Sequence, residues 1–124
     1  MSGILVDTHI ALWALGDTRQ LTSRERELLT DRTLKRWLSP VSVWEAAIKR
    51  EIGRLRAPRA LATVLAHEFA LLALDAELLE ASAELPRHHG DPFDRVLIAH
   101  AFRDDLEVLT RDSVFSSYGV RLAR

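Results

Sequence analysis

Apolar residues fall along this chain in short runs set between longer amphipathic stretches. Ile4-Leu5-Val6 is a continuous apolar triplet ended by Asp7, which suits a strand buried on both faces within a parallel sheet. The run Ile10 to Leu15 predicts a first helix closing near Gly16. Thr22 and Glu25 make a capping-box pattern at the start of a second helix through Leu28 and Leu29. Arg36-Trp37-Leu38 predicts a second strand, leading through Ser39-Pro40 into a helix from Val41 to Ile52 that Gly53 is placed to stop. Pro58 opens another helical stretch with Leu61, Val64 and Leu65 on one face. Leu71-Leu72-Ala73-Leu74 predicts a third strand, and Asp75 an N-cap for a helix through Leu85. After Pro86 and a polar loop, Asp91-Pro92-Phe93-Asp94 opens a helix to about Arg103. Glu107-Val108-Leu109-Thr110 predicts the last clear strand, followed by Arg111-Asp112, a short helix and an extended piece at Val120-Arg121-Leu122.

Strands alternating with helices imply an α/β sandwich with a mostly parallel central sheet. Neither a repeat nor a linker-like stretch interrupts the pattern, so residues 1–124 are expected to form a single domain. Ligands in such sheets sit beyond the C-terminal ends of the strands, where Asp7 and Asp112 both fall.

Composition narrows the class. Hydrophobic residues make up 48% and charged residues 28%, which fits a globular protein and not a disordered one. No apolar run reaches the roughly 20 residues needed to span a bilayer, and the N-terminus lacks the basic region of a signal peptide. With no cysteine, disulfides and thiolate metal sites are excluded, and a cytoplasmic location is expected. The net charge of -1 gives the whole molecule no attraction for nucleic acid. Basic residues do gather locally, at Lys49, Arg50, Arg54, Arg56 and Arg59 and again at Arg87-His88-His89.

Four acids carry the candidate chemistry, and each also has a structural explanation. Glu45 lies three residues after Ser42 and completes a possible capping box. Asp91 before Pro92 is a natural N-cap, which puts Asp94 in a first helical turn where it complements the helix dipole. Asp112 is placed to cap the short helix after it. Asp7 is harder to explain so, because an acid directly after a buried strand needs a partner or a task. Two carboxylates about 4 Å apart repel by roughly 4 kcal/mol at an effective dielectric near 20, so several together call for protons or a divalent cation. Oxygen ligands favour Mg²⁺ or Mn²⁺ over Zn²⁺, and such an ion readies water for attack on a phosphodiester. The histidines are weaker candidates: His9 reads as a cap or core residue, His88 and His89 as loop surface or a phosphate contact, His67 and His100 as helix positions without a partner in view. Trp13, Trp37 and Trp44 read as core or interface, with core the default.

Four segments are more specific than any single acid: Leu5-Val6-Asp7-Thr8-His9, Ser39-Pro40-Val41-Ser42-Val43-Trp44-Glu45, His89-Gly90-Asp91-Pro92-Phe93-Asp94-Arg95 and Leu109-Thr110-Arg111-Asp112. In content and order they resemble the PIN-domain ribonucleases, specifically the VapC-type toxins of toxin–antitoxin pairs, and the similarity runs over essentially the whole chain. The resemblance implies a PIN-like three-layer sandwich with helices flanking the sheet. It also implies a hydrolase: a Mg²⁺-dependent endoribonuclease, with Mn²⁺ able to substitute, cleaving RNA by metal-activated water. Matched by position, Asp7, Glu45, Asp94 and Asp112 are the acidic metal site and catalytic residues, with Asp94 at the catalytic position. Asp91 is assigned to capping. Thr8 and Arg95, beside catalytic acids, are assigned to orienting substrate or a carboxylate. Lys49, Arg50, Arg54 and Arg87 are expected to hold RNA phosphates. The resemblance further implies a homodimer and a small antitoxin partner. Two other readings compete. A receiver domain needs a phosphoacceptor Asp after a mid-chain strand, where this chain has Glu45 and Glu51 in a helix, and a catalytically idle binding module predicts no response to divalent cations.

Overall fold

The computed structural model describes residues 2–124. Four short strands, β1 (Ile4–Val6), β2 (Arg36–Leu38), β3 (Ala70–Leu71) and β4 (Glu107–Leu109), form one sheet in the order β3-β2-β1-β4. Every pairing between them is parallel, and Val108 makes a further parallel bridge to Leu122. The sheet expected to be mostly parallel is thus wholly parallel among the described residues. The helices are α1 (Thr8–Gly16), α2 (Ser23–Thr30), α3 (Pro40–Glu51), α4 (Leu61–Glu68), α5 (Ala76–Glu84), α6 (Pro92–Asp104) and α7 (Val114–Ser117), with a 3-10 turn at Thr18–Gln20. Among the described residues, none of them is long and apolar enough to cross a membrane.

Alternation along β1 divides the interior in two. Ile4 and Val6 belong to an apolar core with Ile10 and Ala11 of α1, Leu28 and Leu29 of α2, and Leu61 and Leu65 of α4. Leu5 belongs to a second core with Leu78 of α5, Val96, Leu97 and Ile98 of α6, Val108 and Phe115. One core on each face of the sheet makes the three-layer sandwich that the resemblance implied.

Helix starts follow the capping residues read from the sequence. Thr22 and Glu25 close a reciprocal capping box, with Glu25 N donating to Thr22 Oγ1 at 3.1 Å and Thr22 N to Glu25 Oε1 at 2.8 Å. Asp75 accepts from Leu78 N at 2.9 Å, and Asp91 from Phe93 N and Asp94 N at 2.9 and 3.2 Å. Two boundaries differ from expectation. The third strand is Ala70–Leu71 instead of 71–74: Leu72 N still donates to Leu38 O, but β2 ends there and leaves nothing further to pair with. The helix expected from Pro58 begins only at Leu61, because the Arg50 guanidinium takes the Pro58 and Arg59 carbonyls at 2.8 and 3.3 Å and holds that segment outside the helix.

Gly3 lies at the entry to β1 with φ 110°. A Cβ there would stand 2.3 Å from Lys35 O, the carbonyl that receives Ile4 N. Gly3→Ala is therefore expected to lose about 2–4 kcal/mol through strain and displacement of that backbone pair, seen as a lower urea midpoint. An unchanged midpoint would contradict the tight approach of these strands.

Candidate active site

Asp7 leaves β1 with its backbone fixed on both sides. Its N–H donates to Leu109 O at 3.0 Å, and its carbonyl accepts from Ala11 N at 3.0 Å, opening α1. It occupies the N-cap position, yet its side chain makes no cap hydrogen bond. The carboxylate instead accepts from Thr110 Oγ1 at 2.7 Å, and the same hydroxyl oxygen accepts from Asp112 N at 3.1 Å. One threonine therefore ties the two strand-end acids together. Asp112 also accepts from Val114 N at 3.0 Å, closing a turn ahead of α7, whose N-cap position is Ser113 and not Asp112. Thr110 stood in the sequence only as a strand residue; its position between two acids at adjacent strand ends was the available signal.

Glu45 sits in the second turn of α3, not the first as expected. The reason is that Ser39 is the N-cap, accepting from Val41 N at 3.1 Å. The Ser42–Glu45 capping box does not form, and Ser42 Oγ instead accepts from Thr8 Oγ1 at 2.7 Å. Glu45 is only 4% exposed, with Lys49 Nζ at 2.8 Å. Asp94 is the third residue of α6, where Asp91 receives its N–H. Two buried hydrogen bonds hold these elements in place: Thr8 to Ser42 joins α1 to α3, and Ser39 Oγ to His100 Nε2 at 2.7 Å joins α3 to α6.

The four acids meet electrostatically. Burial pushes the Asp94 carboxyl up to about 7, and the carboxylates of Asp91, Asp7, Glu45 and Asp112 push it the same way. Asp7 is also raised, by burial first and with a smaller push from Glu45, against the opposing Thr110 hydrogen bond and the charge of His9. Among the described residues Lys49 is the one Lys or Arg that pairs with any of these acids. As placed, no three His, Asp or Glu side chains among the described residues are gathered to hold an ion. In donor chemistry and charge, however, the set fits a hard divalent cation: every candidate donor is a carboxylate oxygen, and negative charge exceeds its partners.

Several expected contacts fall elsewhere. Thr8 is buried and committed to Ser42. Arg95 is 7% exposed and donates to the carbonyls of Ala83, Leu85 and Pro86 and to the Tyr118 hydroxyl, so both side chains have partners within the protein. Lys49 is held by Glu45 and Arg50 by the Pro58 segment, which leaves Arg54 and Arg87 as the exposed members of the expected basic rim. His9 is neither cap nor core: it is exposed beside Trp13, and both line a shallow cleft of about 260 Å³ with Asp7, Arg111 and Asp112. Arg111 lies over the Trp13 ring and pairs with Glu25 through two nitrogens. His100 has a partner after all, Ser39, and its burial pushes its pKa down to about 4. Trp44, for which core was the default over interface, is 62% exposed; Ile48 of α3 is 37% exposed and Ile52 at its C-cap 61%.

A parallel α/β sandwich with carboxylates beyond the C-terminal ends of its adjacent strands β1 and β4 defines the class. The chain matches the PIN domain model over residues 4–120, and it belongs to the PIN-domain family. Among solved structures, it is similar to the Mycobacterium tuberculosis toxin VapC20, described as cleaving the sarcin-ricin loop, at 24% identity and TM-score 0.73, covering 98% of this chain and 99% of that one. It is also similar to VapBC2 from Rickettsia felis, solved with a promoter DNA fragment, at 13% identity and TM-score 0.70 over 97% and 96% of the two chains. A toxin–antitoxin complex from Klebsiella pneumoniae gives 17% identity and TM-score 0.63 over 90% and 88%. Comparison with curated proteins finds no match.

Proposed function

We propose that this chain is a metal-dependent endoribonuclease and the toxin of a VapC-type toxin–antitoxin pair, working in the cytoplasm. The observation that supports the reading is the buried Asp94 carboxyl, raised to about 7 by burial first and then by the charges of Asp91, Asp7, Glu45 and Asp112. Asp7, Glu45, Asp94 and Asp112 are the residues that would hold Mg²⁺ or Mn²⁺. Bound there, the ion supplies Lewis acidity that readies water and offsets charge on the phosphodiester. In the metal-free chain the Asp94 carboxyl is raised to about 7, and a bound cation would favour its charged form. Thr110 keeps the Asp7 carboxylate turned to Asp112, and Lys49 keeps Glu45 from swinging out. Arg54 and Arg87 offer exposed charge for RNA phosphates, and the sarcin-ricin loop activity named for VapC20 supports RNA as the substrate class.

Trp44 and Ile48, exposed on the helix that carries Glu45, and Ile52 at its C-cap are exposed apolar residues. Apolar surface of this kind is covered in a working protein, and we assign it to the cognate antitoxin, a partner class that the Klebsiella pneumoniae complex supports. Homodimerisation is read separately, by light scattering on the chain alone.

Cleavage of a labelled single-stranded RNA is expected with Mg²⁺ or Mn²⁺ and not with EDTA. Asp7→Asn is expected to keep the native circular dichroism spectrum while cleavage falls to background. Mn²⁺ is expected to raise the melting temperature of the native protein, as any ligand of the folded state must. Cleavage retained in the folded variant, or insensitive to EDTA, defeats the assignment; preference for a DNA strand of the same sequence would replace RNA as the substrate.

A further inference from the structure

Beside Asp94 stands a part-buried group that the acidic site does not explain. The Tyr118 hydroxyl receives the Arg95 Nη1 donor at 3.1 Å and the His89 backbone N–H at 3.3 Å, and it lies 2.9 Å from His89 Nδ1. Arginine and a backbone amide can only donate, so they occupy both lone pairs of the phenol oxygen. The phenol proton then has one acceptor within reach, Nδ1. An imidazole that accepts at Nδ1 carries its proton on Nε2. That nitrogen is buried, makes no hydrogen bond, and lies 3.4 Å from Asp94 Oδ2. His88 closes the arrangement by packing edge-on against the Tyr118 ring.

We propose that His89 is a positioning residue for Asp94: Tyr118 fixes its imidazole as the Nε2–H tautomer, and that single donor steers the Asp94 carboxylate in the cleft. An unpaired buried donor facing a carboxylate is stabilised by closing on it, and a small rotation of either side chain brings the pair from 3.4 Å into hydrogen-bond range. Arg95, expected from the sequence to orient a carboxylate, reaches Asp94 only through this chain, by loading the phenol. The inference rests on the nuclease reading of the site and adds to it a residue outside the four acids.

Nitrogen-15 NMR of the histidine-labelled native chain tests the tautomer without reference to activity, with the His89 signals identified by their loss in His89→Gln. Protonation at Nε2 is expected in the native protein, and a mixture of tautomers in Tyr118→Phe. Cleavage tests the role. Glutamine can place an amide nitrogen where Nε2 stood and asparagine cannot, so His89→Gln is expected to keep most of kcat and His89→Asn to lose about tenfold or more, with KM unchanged and both variants folded. A proton on Nδ1, or a native kcat in folded His89→Asn, overturns the inference while leaving the nuclease reading standing. A native protein that cleaves no RNA under any divalent cation overturns that reading and the positioning role together.

Discussion

Asp94→Asn is expected to make the metal-free protein more stable at pH 8 while removing RNA cleavage. A carboxyl whose pKa is about 7 when folded, against an ordinary 3.8, is disfavoured in its charged form, and ionising it costs the folded state on the order of 4 kcal/mol. The amide removes that cost. For a chain of this length the gain is roughly 10–15 °C in melting temperature. The pH profile gives a second readout. With a raised folded pKa, Asp94 contributes stability that grows as pH falls from about 7 toward 4. His100 has the opposite sign: its folded pKa of about 4 lies below the ordinary 6.5, so its contribution is complete above 6.5 and is lost as pH falls toward 4. The two slopes largely cancel in the native protein, with the raised Asp7 adding to the Asp94 side. In EDTA the native melting temperature is therefore expected to hold level or rise slightly from pH 8 to 5. Asp94→Asn uncovers the His100 slope and is expected to lose about 2 kcal/mol over the same interval. A variant that melts no higher than the native protein at pH 8 would falsify the electrostatic account of the cleft.

Arg95→Lys is expected to be as harmful as a core truncation, although it keeps the charge. The guanidinium is 7% exposed and spreads its donors over three carbonyls at the end of α5 and the Tyr118 hydroxyl. A lysine ammonium offers three donors from one point and cannot span that fork. Each buried acceptor left unpaired costs about 1–3 kcal/mol, so a total loss of roughly 3–5 kcal/mol is expected in urea denaturation. Arg95→Met is expected to lose at least as much. Native-like midpoints for Arg95→Lys would mean that the α5 carbonyls are satisfied some other way.

Much of the architecture was legible because each signal was local. Ile4-Leu5-Val6 states a doubly buried strand in three letters, and Thr22, Asp75 and Asp91 each announce a helix from one side chain. What was not legible depended on partners distant in the chain. Arg50 delays α4 by taking carbonyls of the segment before it. Ser42 does not cap for Glu45 because Ser39 starts the helix, and the Ser42 hydroxyl serves Thr8, 34 positions away. Trp44 is apolar and helical, like a core residue, and only the packing of α3 shows that it faces outward. The candidate site followed the same division. The four acids were found from segment order, whereas Thr110, His89 and Tyr118 depend on hydrogen bonds that no spacing rule encodes. Arg95 was noticed for lying next to an acid and turns out to serve the end of a different helix.

The strand order also has a consequence for how the chain is made. β4 pairs directly with β1, so Leu109 and Thr110, which fix the backbone and carboxylate of Asp7, lie about a hundred residues after it in the chain. A ribosome that has synthesised only the first hundred residues carries Asp7, Glu45 and Asp94 without the strand that organises them. Contacts this remote in sequence close late, so a nascent fragment that lacks β4 also lacks the finished cleft.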